Sequence, residues 1–197
     1  MDRPRLLPAS GTLVAVVGPS GAGKDTLMAI AVAHFADHDD VHFVQRVITR
    51  ACDAGGEDHK SVSEAEFEDL RASGGFAVDW DAHGLRYGIP AAVHEKLSLG
   101  HLVIANGSRS VLGHFKQAFR TLQVINITAR PEILASRLEA RGRESREDIL
   151  KRLARGSLEI RGDYDVVTID NSGAVADAGH ALIVALEEAR NRDRLSA

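Results

Sequence analysis

The sequence predicts an α/β fold in which a parallel β-sheet is flanked by helices. Apolar runs alternate with amphipathic helical patterns along nearly the whole chain, starting with the apolar run 13–17 and the helical pattern after it. Two later apolar runs, 102–105 and 123–128, are short and nearly continuous, which is typical of strands buried on both faces of a parallel sheet. We expect residues 1–197 to form a single domain of this class.

Capping signals mark several helices between these strands. Ser63 and Glu66 form a capping box for a short helix that Gly74 and Gly75 close. Pro90 is predicted to open the next helix, which Gly100 ends.

The second half of the chain continues the alternation. Pro131 is typical of a helix start. The last strand is expected over 166–169 and a closing helix over 175–189, with Leu182 and Leu186 facing the core and Arg190 exposed to solvent.

A glycine-rich motif follows the first predicted strand directly. Residues 18–25 read Gly-Pro-Ser-Gly-Ala-Gly-Lys-Asp, which is the sequence form of a phosphate-binding P-loop. Its glycines permit backbone dihedrals closed to other residues, so amide N–H groups can converge on phosphate oxygens near the positive end of the next helix. The lysine supplies a mobile ammonium for the β- and γ-phosphates. We therefore expect a nucleoside triphosphate to bind at Gly18, Pro19, Ser20, Gly21, Ala22, Gly23, Lys24, Asp25 and Thr26.

The residue after the P-loop lysine departs from the usual pattern. That position is commonly Ser or Thr, whose hydroxyl ligates Mg²⁺, and here it is Asp25 followed by Thr26. Since a carboxylate is also a good magnesium ligand, we expect Asp25 to hold the metal directly or through water, with Thr26 as the alternative. Asp25 could instead be an ordinary first-turn acid on the helix dipole.

Bulk composition excludes several classes of protein. A net charge of -4 argues against a general nucleic-acid or membrane-surface binder, because such proteins need a broad basic face. The single cysteine excludes an internal disulfide and suits a reducing compartment, and no apolar run reaches the length of a membrane span. We expect a cytoplasmic protein that binds small molecules and neither nucleic acid nor a membrane. A homodimer is compatible with the sequence.

Two segments stand apart from the predicted core, which covers about 10–45, 100–136 and 157–190. Residues 46–99 are rich in Gly, Asp, His and Arg and are interpreted as an insertion that binds a phosphoryl acceptor. Residues 137–156 carry many arginines around Gly142 and are interpreted as a lid. A solvated helix with ion pairs to nearby glutamates is the alternative for this second segment.

No arrangement of Ser-His-Asp or Cys-His type and no general base stands out in the sequence. That lack is expected if the acceptor is itself a phosphate, because its second pKa is near about 6 and its oxygen is already ionised at neutral pH. The pattern favours a kinase that makes a diphosphate linkage.

Four motifs together resemble the guanylate kinase superfamily over nearly the full chain. They are the P-loop, Ile48-Thr49-Arg50, Leu85-Arg86-Tyr87-Gly88 and the run 137–143. Within that superfamily, residues 18–26, the run from Ile48 to His59 and residues 105–109 are most similar to ribose 1,5-bisphosphate phosphokinases. The resemblance implies a P-loop NTPase fold, with ATP and Mg²⁺ used to convert ribose 1,5-bisphosphate to phosphoribosyl diphosphate.

The resemblance also implies roles for individual residues. Arg50, Tyr87 and Arg109 would hold the acceptor phosphates, with His59, Asn106 and Ser108 beside them. Lys24 and the lid arginines would act on the transferring group: Arg137, Arg141, Arg143 and Arg152. For three of the acceptor residues a structural role is the alternative: Tyr87 as a packing aromatic, His59 as a loop cap and Asn106 as a strand terminator.

The departures from guanylate kinases favour a sugar acceptor. The acceptor site of guanylate kinases has a second arginine three residues after the first, and this chain has Asp53 at that position. The pair of acids that guanylate kinases carry at a strand end is replaced here by residues 106–109, which include Arg109. Asp79 does not fit a sugar acceptor, because it resembles the acid with which guanylate kinases bind the guanine edge. The alternative interpretation of Asp79 is a residual or solvated carboxylate. Guanylate kinase is therefore the second interpretation. A third interpretation is a non-catalytic guanylate-kinase-like binding module, against which the P-loop lysine and the arginine-rich lid argue. A fourth is a GTPase switch, against which the lack of an Asn-Lys-x-Asp motif argues.

Overall fold

Nine strands and six helices lie in residues 11–51, 58–140 and 160–195, the part of the chain that the computed structural model describes; side chains are described up to residue 192. The elements in chain order are β1 (Leu13–Val17), α1 (Lys24–His34), β2 (Val41–Phe43), β3 (Arg46–Ile48), β4 (His59–Ser61), α2 (Glu64–Ala72), β5 (Phe76–Ala82), β6 (Leu85–Pro90), α3 (Val93–Ser98), β7 (Leu102–Asn106), α4 (Leu112–Ala118), β8 (Leu122–Thr128), α5 (Pro131–Glu139), β9 (Asp165–Asp170) and α6 (Val175–Leu195).

A five-stranded sheet in the order β2-β7-β1-β8-β9 forms the core. All its pairings are parallel, so the carboxyl ends of its strands meet at one edge. Every residue of β1 and of β7 is buried, because helices cover both faces of the sheet. The predicted fold class, a parallel sheet flanked by helices, is confirmed.

Two apolar clusters lie on the two faces of this sheet. One contains Val14 and Val16 of β1 with Leu27 of α1 and Leu182 of α6. The other contains Leu13, Ala15 and Val17 of β1 with Phe115 of α4 and Trp80 of β5. Alternation along a strand sends neighbouring side chains to opposite faces, which is why β1 contributes to both clusters.

The four strands β3 to β6 form a second sheet, in the order β4-β3-β6-β5. Its β3–β4 pair is parallel, whereas the β3–β6 and β5–β6 pairs are antiparallel. Helix α2 begins at the predicted capping box, in which Ser63 accepts from the Glu66 amide and Glu66 accepts from the Ser63 amide. Trp80 on β5 packs against Phe115 of α4, which joins one face of this sheet to the core.

Two local predictions were wrong. Pro90 does not open a helix: it is the last residue of β6 and lies opposite Phe76 of β5, while α3 begins at Val93. Arg190 is not a solvated side chain either, since it donates two hydrogen bonds to the carboxylate of Asp40. In the described segments, no helix combines the length and the apolar character needed to cross a membrane.

Candidate active site

The loop between β1 and α1 has the backbone conformation that its glycines permit. Gly18, Gly21 and Gly23 all have positive φ, at 151°, 86° and 89°. Space is a second constraint at Gly18, because a Cβ atom there would lie 2.2 Å from the carbonyl oxygen of Ile127 on β8. The loop therefore passes close over the carboxyl edge of the core sheet, at the start of α1 and its positive helix end.

Lys24 lies over this loop. Its Nζ donates to the carbonyl oxygen of Gly18 at 3.0 Å and to that of Pro19 at 3.3 Å. These carbonyls hold the ammonium on the loop, and a flexible four-carbon side chain lets it move to a phosphate oxygen. The ammonium therefore lies at the loop that the glycine-rich motif predicts to bind phosphate.

Two side chains from the neighbouring strand end and helix brace the P-loop. The buried amide of Asn171, which directly follows β9, donates to the carbonyl oxygen of Ala22 at 2.7 Å. The guanidinium of Arg137 on α5 donates to the Asn171 carbonyl oxygen at 2.9 Å and to the carbonyls of Gly21 and Ala22 at 3.4 Å. Arg137 thus supports the loop backbone here, and its predicted action on the transferring group stays a prediction. Sequence reasoning missed Asn171, whose only signal was a polar residue at a strand end.

The predicted magnesium ligands lie at the first turn of α1. Asp25 and Thr26 are exposed, and the side-chain amide of Asn106, at the end of β7, lies 3.4 Å from Asp25 Oδ1. Among the described residues no cluster of three or more acids, histidines or cysteines could hold a metal by itself. One exposed carboxylate beside a phosphate-binding loop nevertheless suits Mg²⁺, which binds through few protein oxygens together with substrate phosphates.

Arg50 and His59 contact each other on the second sheet. His59 Nδ1 accepts from the Arg50 guanidinium at 3.3 Å, and His59 Nε2 donates to the Arg50 carbonyl oxygen at 3.1 Å. The imidazole is only 7% exposed, so these contacts occupy both ring nitrogens in a nearly buried position. The structure brings the two predicted residues together, with His59 fixing the arginine.

Tyr87 stacks on a neighbouring indole. Its ring is nearly parallel to that of Trp80, with an interplanar angle of 8° and a centroid distance of 5.4 Å. The two residues are direct partners across β5 and β6. The Arg46 guanidinium lies over both rings, 5.0 Å from the Tyr87 centroid and 5.7 Å from that of Trp80. Sequence reasoning singled out neither Arg46 nor Trp80.

Asp79 does not lie with the other predicted acceptor residues. It neighbours Trp80 on β5 and so points to the opposite face of the second sheet, where its carboxylate pairs with Arg71 of α2 at 2.6 Å. This placement does not support a role in binding the acceptor, and the ion pair with Arg71 also differs from the alternative of a solvated carboxylate.

The turn after β7 carries the remaining predicted residues that the structure describes. Arg109 begins a short 3₁₀ turn, Arg109–Val111, and burial lowers the pKa of its guanidinium from the ordinary value. Ser108 lies beside it, with its hydroxyl 2.9 Å from that of Ser110. Both residues stand at the carboxyl edge of the core sheet. Three predicted lid arginines lie outside the described residues: Arg141, Arg143 and Arg152.

Comparison with solved structures defines the class. The structure of guanylate kinase from Anaplasma phagocytophilum matches with a TM-score of 0.65 at 18% identity, covering 92% of this chain and 87% of that one. At this identity the likeness shows a shared fold. The molecule has the fold of P-loop kinases.

Sequence relatives define the family. Ribose 1,5-bisphosphate phosphokinase PhnN from Agrobacterium fabrum is 59% identical over 176 residues, 89% of this chain and 96% of that protein. The protein of that name from Rhizobium etli is 60% identical over 177 residues, 90% of each chain. No protein-family model matches the chain. The chain belongs to the PhnN family of ribose 1,5-bisphosphate phosphokinases, a family of phosphotransferases.

Proposed function

We propose that this protein transfers the γ-phosphoryl group of ATP to the 1-phosphate of ribose 1,5-bisphosphate, giving ADP and 5-phospho-α-D-ribose 1-diphosphate. The observation that carries the proposal is the 59% identity to a curated ribose 1,5-bisphosphate phosphokinase over 89% of this chain. We also propose that the reaction takes place in the cytoplasm, where ATP is available.

The chemical step needs positioning and charge more than proton transfer. The bond between the β–γ bridging oxygen and the γ-phosphorus breaks, and a new bond forms between that phosphorus and an oxygen of the sugar 1-phosphate. Since this oxygen is already ionised at neutral pH, the step requires no general base. What the protein must supply is alignment of two polyanions and spreading of their charge.

The P-loop supplies the donor half of this arrangement. Its amides and the positive end of α1 would bind the ATP phosphates, and Lys24 would leave the carbonyls of Gly18 and Pro19 for a β- or γ-phosphate oxygen. Asn171 and Arg137 would keep the loop backbone in place during this exchange. Asp25, with Thr26 and Asn106 nearby, would hold Mg²⁺, which neutralises charge on the β- and γ-oxygens when bound.

The second sheet supplies the acceptor half. Arg50, held by His59, and Tyr87 are proposed to bind the 1-phosphate, with Arg109 and Ser108 at the edge of the core sheet. The position of Asp79 on the other face, paired with Arg71, favours this acceptor over GMP, because it leaves that carboxylate away from the face on which Tyr87 lies. The lid arginines Arg141, Arg143 and Arg152 are proposed to act on the transferring group.

A panel of acceptors tests the proposal. The protein is incubated with Mg-ATP and, separately, with ribose 1,5-bisphosphate, GMP, dGMP, AMP or CMP, and ADP release is followed. We expect ribose 1,5-bisphosphate to give the highest kcat/KM, with little ADP released when no acceptor is present. A preference for GMP would assign the protein as a guanylate kinase, and ADP release independent of any acceptor would indicate a nucleotide hydrolase.

A further inference from the structure

The Arg46 guanidinium has a fixed place on the second sheet. It lies over the stacked rings of Trp80 and Tyr87, and Trp80 is itself anchored on Phe115 of the core. This cation–π contact limits the positions that the guanidinium can take, and the five N–H donors of a guanidinium lie in its own plane. The aromatic pair therefore holds in place a group whose donors suit a planar or tetrahedral oxyanion.

Arg46 lies on the same face as Arg50. Arg46 on β3 is the direct partner of His59 on β4, and the imidazole of His59 binds the Arg50 guanidinium. Partners across adjacent strands direct their side chains to the same face of a sheet. The face that carries Trp80 and Tyr87 thus holds two arginines near one histidine, an arrangement that suits an acceptor with two anionic groups.

We propose that Arg46 binds the second, non-reacting phosphate of the acceptor and so determines the preference for a sugar bisphosphate over a nucleoside monophosphate. This inference rests on the proposed function and assigns a residue that the sequence motifs did not indicate. Arg50 holds the phosphate that is to be extended, and Arg46 holds the 5-phosphate. A nucleoside monophosphate carries a single phosphate and offers no second phosphate for Arg46 to bind.

The distinguishing experiment removes the arginine and the phosphate separately. Calorimetry measures the dissociation constants of ribose 1,5-bisphosphate and of ribose 1-phosphate, which lacks the 5-phosphate, for the unchanged protein and for Arg46→Gln. We expect the variant to bind ribose 1,5-bisphosphate about 10- to 100-fold more weakly and ribose 1-phosphate within about twofold of the unchanged protein, since only the first ligand loses a charge-assisted contact. The dissociation constant of ATP stays within about twofold, because the P-loop is untouched.

Two further variants control for charge and folding. Lys60→Gln removes one positive charge from β4, next to His59 but on the other face of the sheet, and is expected to leave both sugar affinities within about twofold. Arg46→Lys keeps the charge and loses the flat stacking surface, so we expect an intermediate loss for ribose 1,5-bisphosphate. Thermal unfolding of each variant reports whether the sheet is intact. If Arg46→Gln does not fold, the affinities of Arg46→Lys for the two sugars are compared with those of the unchanged protein instead.

Each outcome decides the inference. An equal loss for the two sugars would overturn it, because Arg46 would then act on the shared 1-phosphate or on the shape of the sheet. Unchanged binding of ribose 1,5-bisphosphate by the Arg46 variants, or an equal effect of Lys60→Gln, would overturn it as well. Failure of the proposed function is distinguishable, since the unchanged protein would then neither bind nor phosphorylate ribose 1,5-bisphosphate.

Discussion

The side-chain amide of Asn171 donates a hydrogen bond to the carbonyl oxygen of Ala22, and so ties the end of β9 to the P-loop. The same residue accepts from Arg137 through its main-chain carbonyl, at 2.9 Å. Asn171 is 2% exposed, so this hydrogen bond is shielded from solvent. The shape of the phosphate-binding loop therefore depends on a residue far from it in the sequence.

Replacing Asn171 by alanine is expected to weaken both the fold and nucleotide binding. Loss of the donor leaves the buried Ala22 carbonyl without this partner, which we expect to lower the free energy of unfolding by about 1–3 kcal/mol. We expect the KM for ATP to rise several-fold, as measured by steady-state kinetics alongside urea unfolding. The matched control is Asn191→Ala on the exposed end of α6, with a change within about 0.5 kcal/mol. Equal effects of the two substitutions would contradict the role of Asn171.

Replacing His59 by phenylalanine tests whether the imidazole positions Arg50. An aromatic ring is kept, but both contacts with Arg50 are lost. We expect the KM for the sugar bisphosphate to rise about 10-fold while the KM for ATP stays nearly constant, because only the acceptor half is disturbed. His83→Asn, at an exposed turn with a φ of 54°, is the control and is expected to change neither constant. A rise in the ATP constant alone would contradict this assignment.

The pH dependence of stability is expected to reflect His42. Its pKa is lowered from the usual 6.5 by burial, by Lys96 and by the adjacent His101, whose Nδ1 lies 2.7 Å from His42 Nε2. Because the folded pKa is below the unfolded one, the neutral form favours folding. This contribution is complete above pH 6.5 and is lost as the pH falls below that value.

The check is a urea titration at pH values of about 7.5 and 5.5, on either side of the ordinary histidine pKa. We expect the midpoint of the unchanged protein to fall more between these values than the midpoint of His42→Asn. An identical fall in the two proteins would show that His42 does not contribute to the acid sensitivity of the fold.

The ion pair between Arg190 and Asp40 is expected to stabilise the fold measurably. Two hydrogen bonds, at 2.7 and 2.8 Å, join α6 to the turn before β2, and the side chains are 18% and 26% exposed. We expect Arg190→Ala to lower the free energy of unfolding by about 1–2 kcal/mol. Arg192→Ala is the control, because its ion pair with Asp165 is about half exposed and worth at most about 0.5 kcal/mol. Equal losses in the two variants would contradict this expectation.

Local patterns predicted the core sheet and the P-loop well. The buried strands β1, β7 and β8 read as short apolar runs, and the spacing of Gly18, Gly21 and Gly23 reflects backbone conformations that few other residues adopt. The capping box of α2 formed as predicted, since its two hydrogen bonds connect residues only three apart. Such features depend on neighbours in the sequence.

The features that sequence reasoning missed depend on distant residues. Pro90 became a strand end because β6 pairs with β5 up to Phe76, a register that the proline itself does not encode. Strand β4 is three residues long and largely polar, so its existence depends on pairing with β3. The contacts of Asn171 with Ala22 and of Arg46 with Trp80 and Tyr87 likewise arise only when separate elements pack together.

The most direct measurement of the central claim is a ³¹P NMR spectrum of the protein incubated with Mg-ATP and ribose 1,5-bisphosphate. We predict that the 1-phosphate resonance of the sugar disappears and is replaced by two coupled resonances of a diphosphate, while the 5-phosphate resonance persists and ATP is converted to ADP in equal amount. Consumption of ATP with both sugar phosphate resonances unchanged would contradict the account.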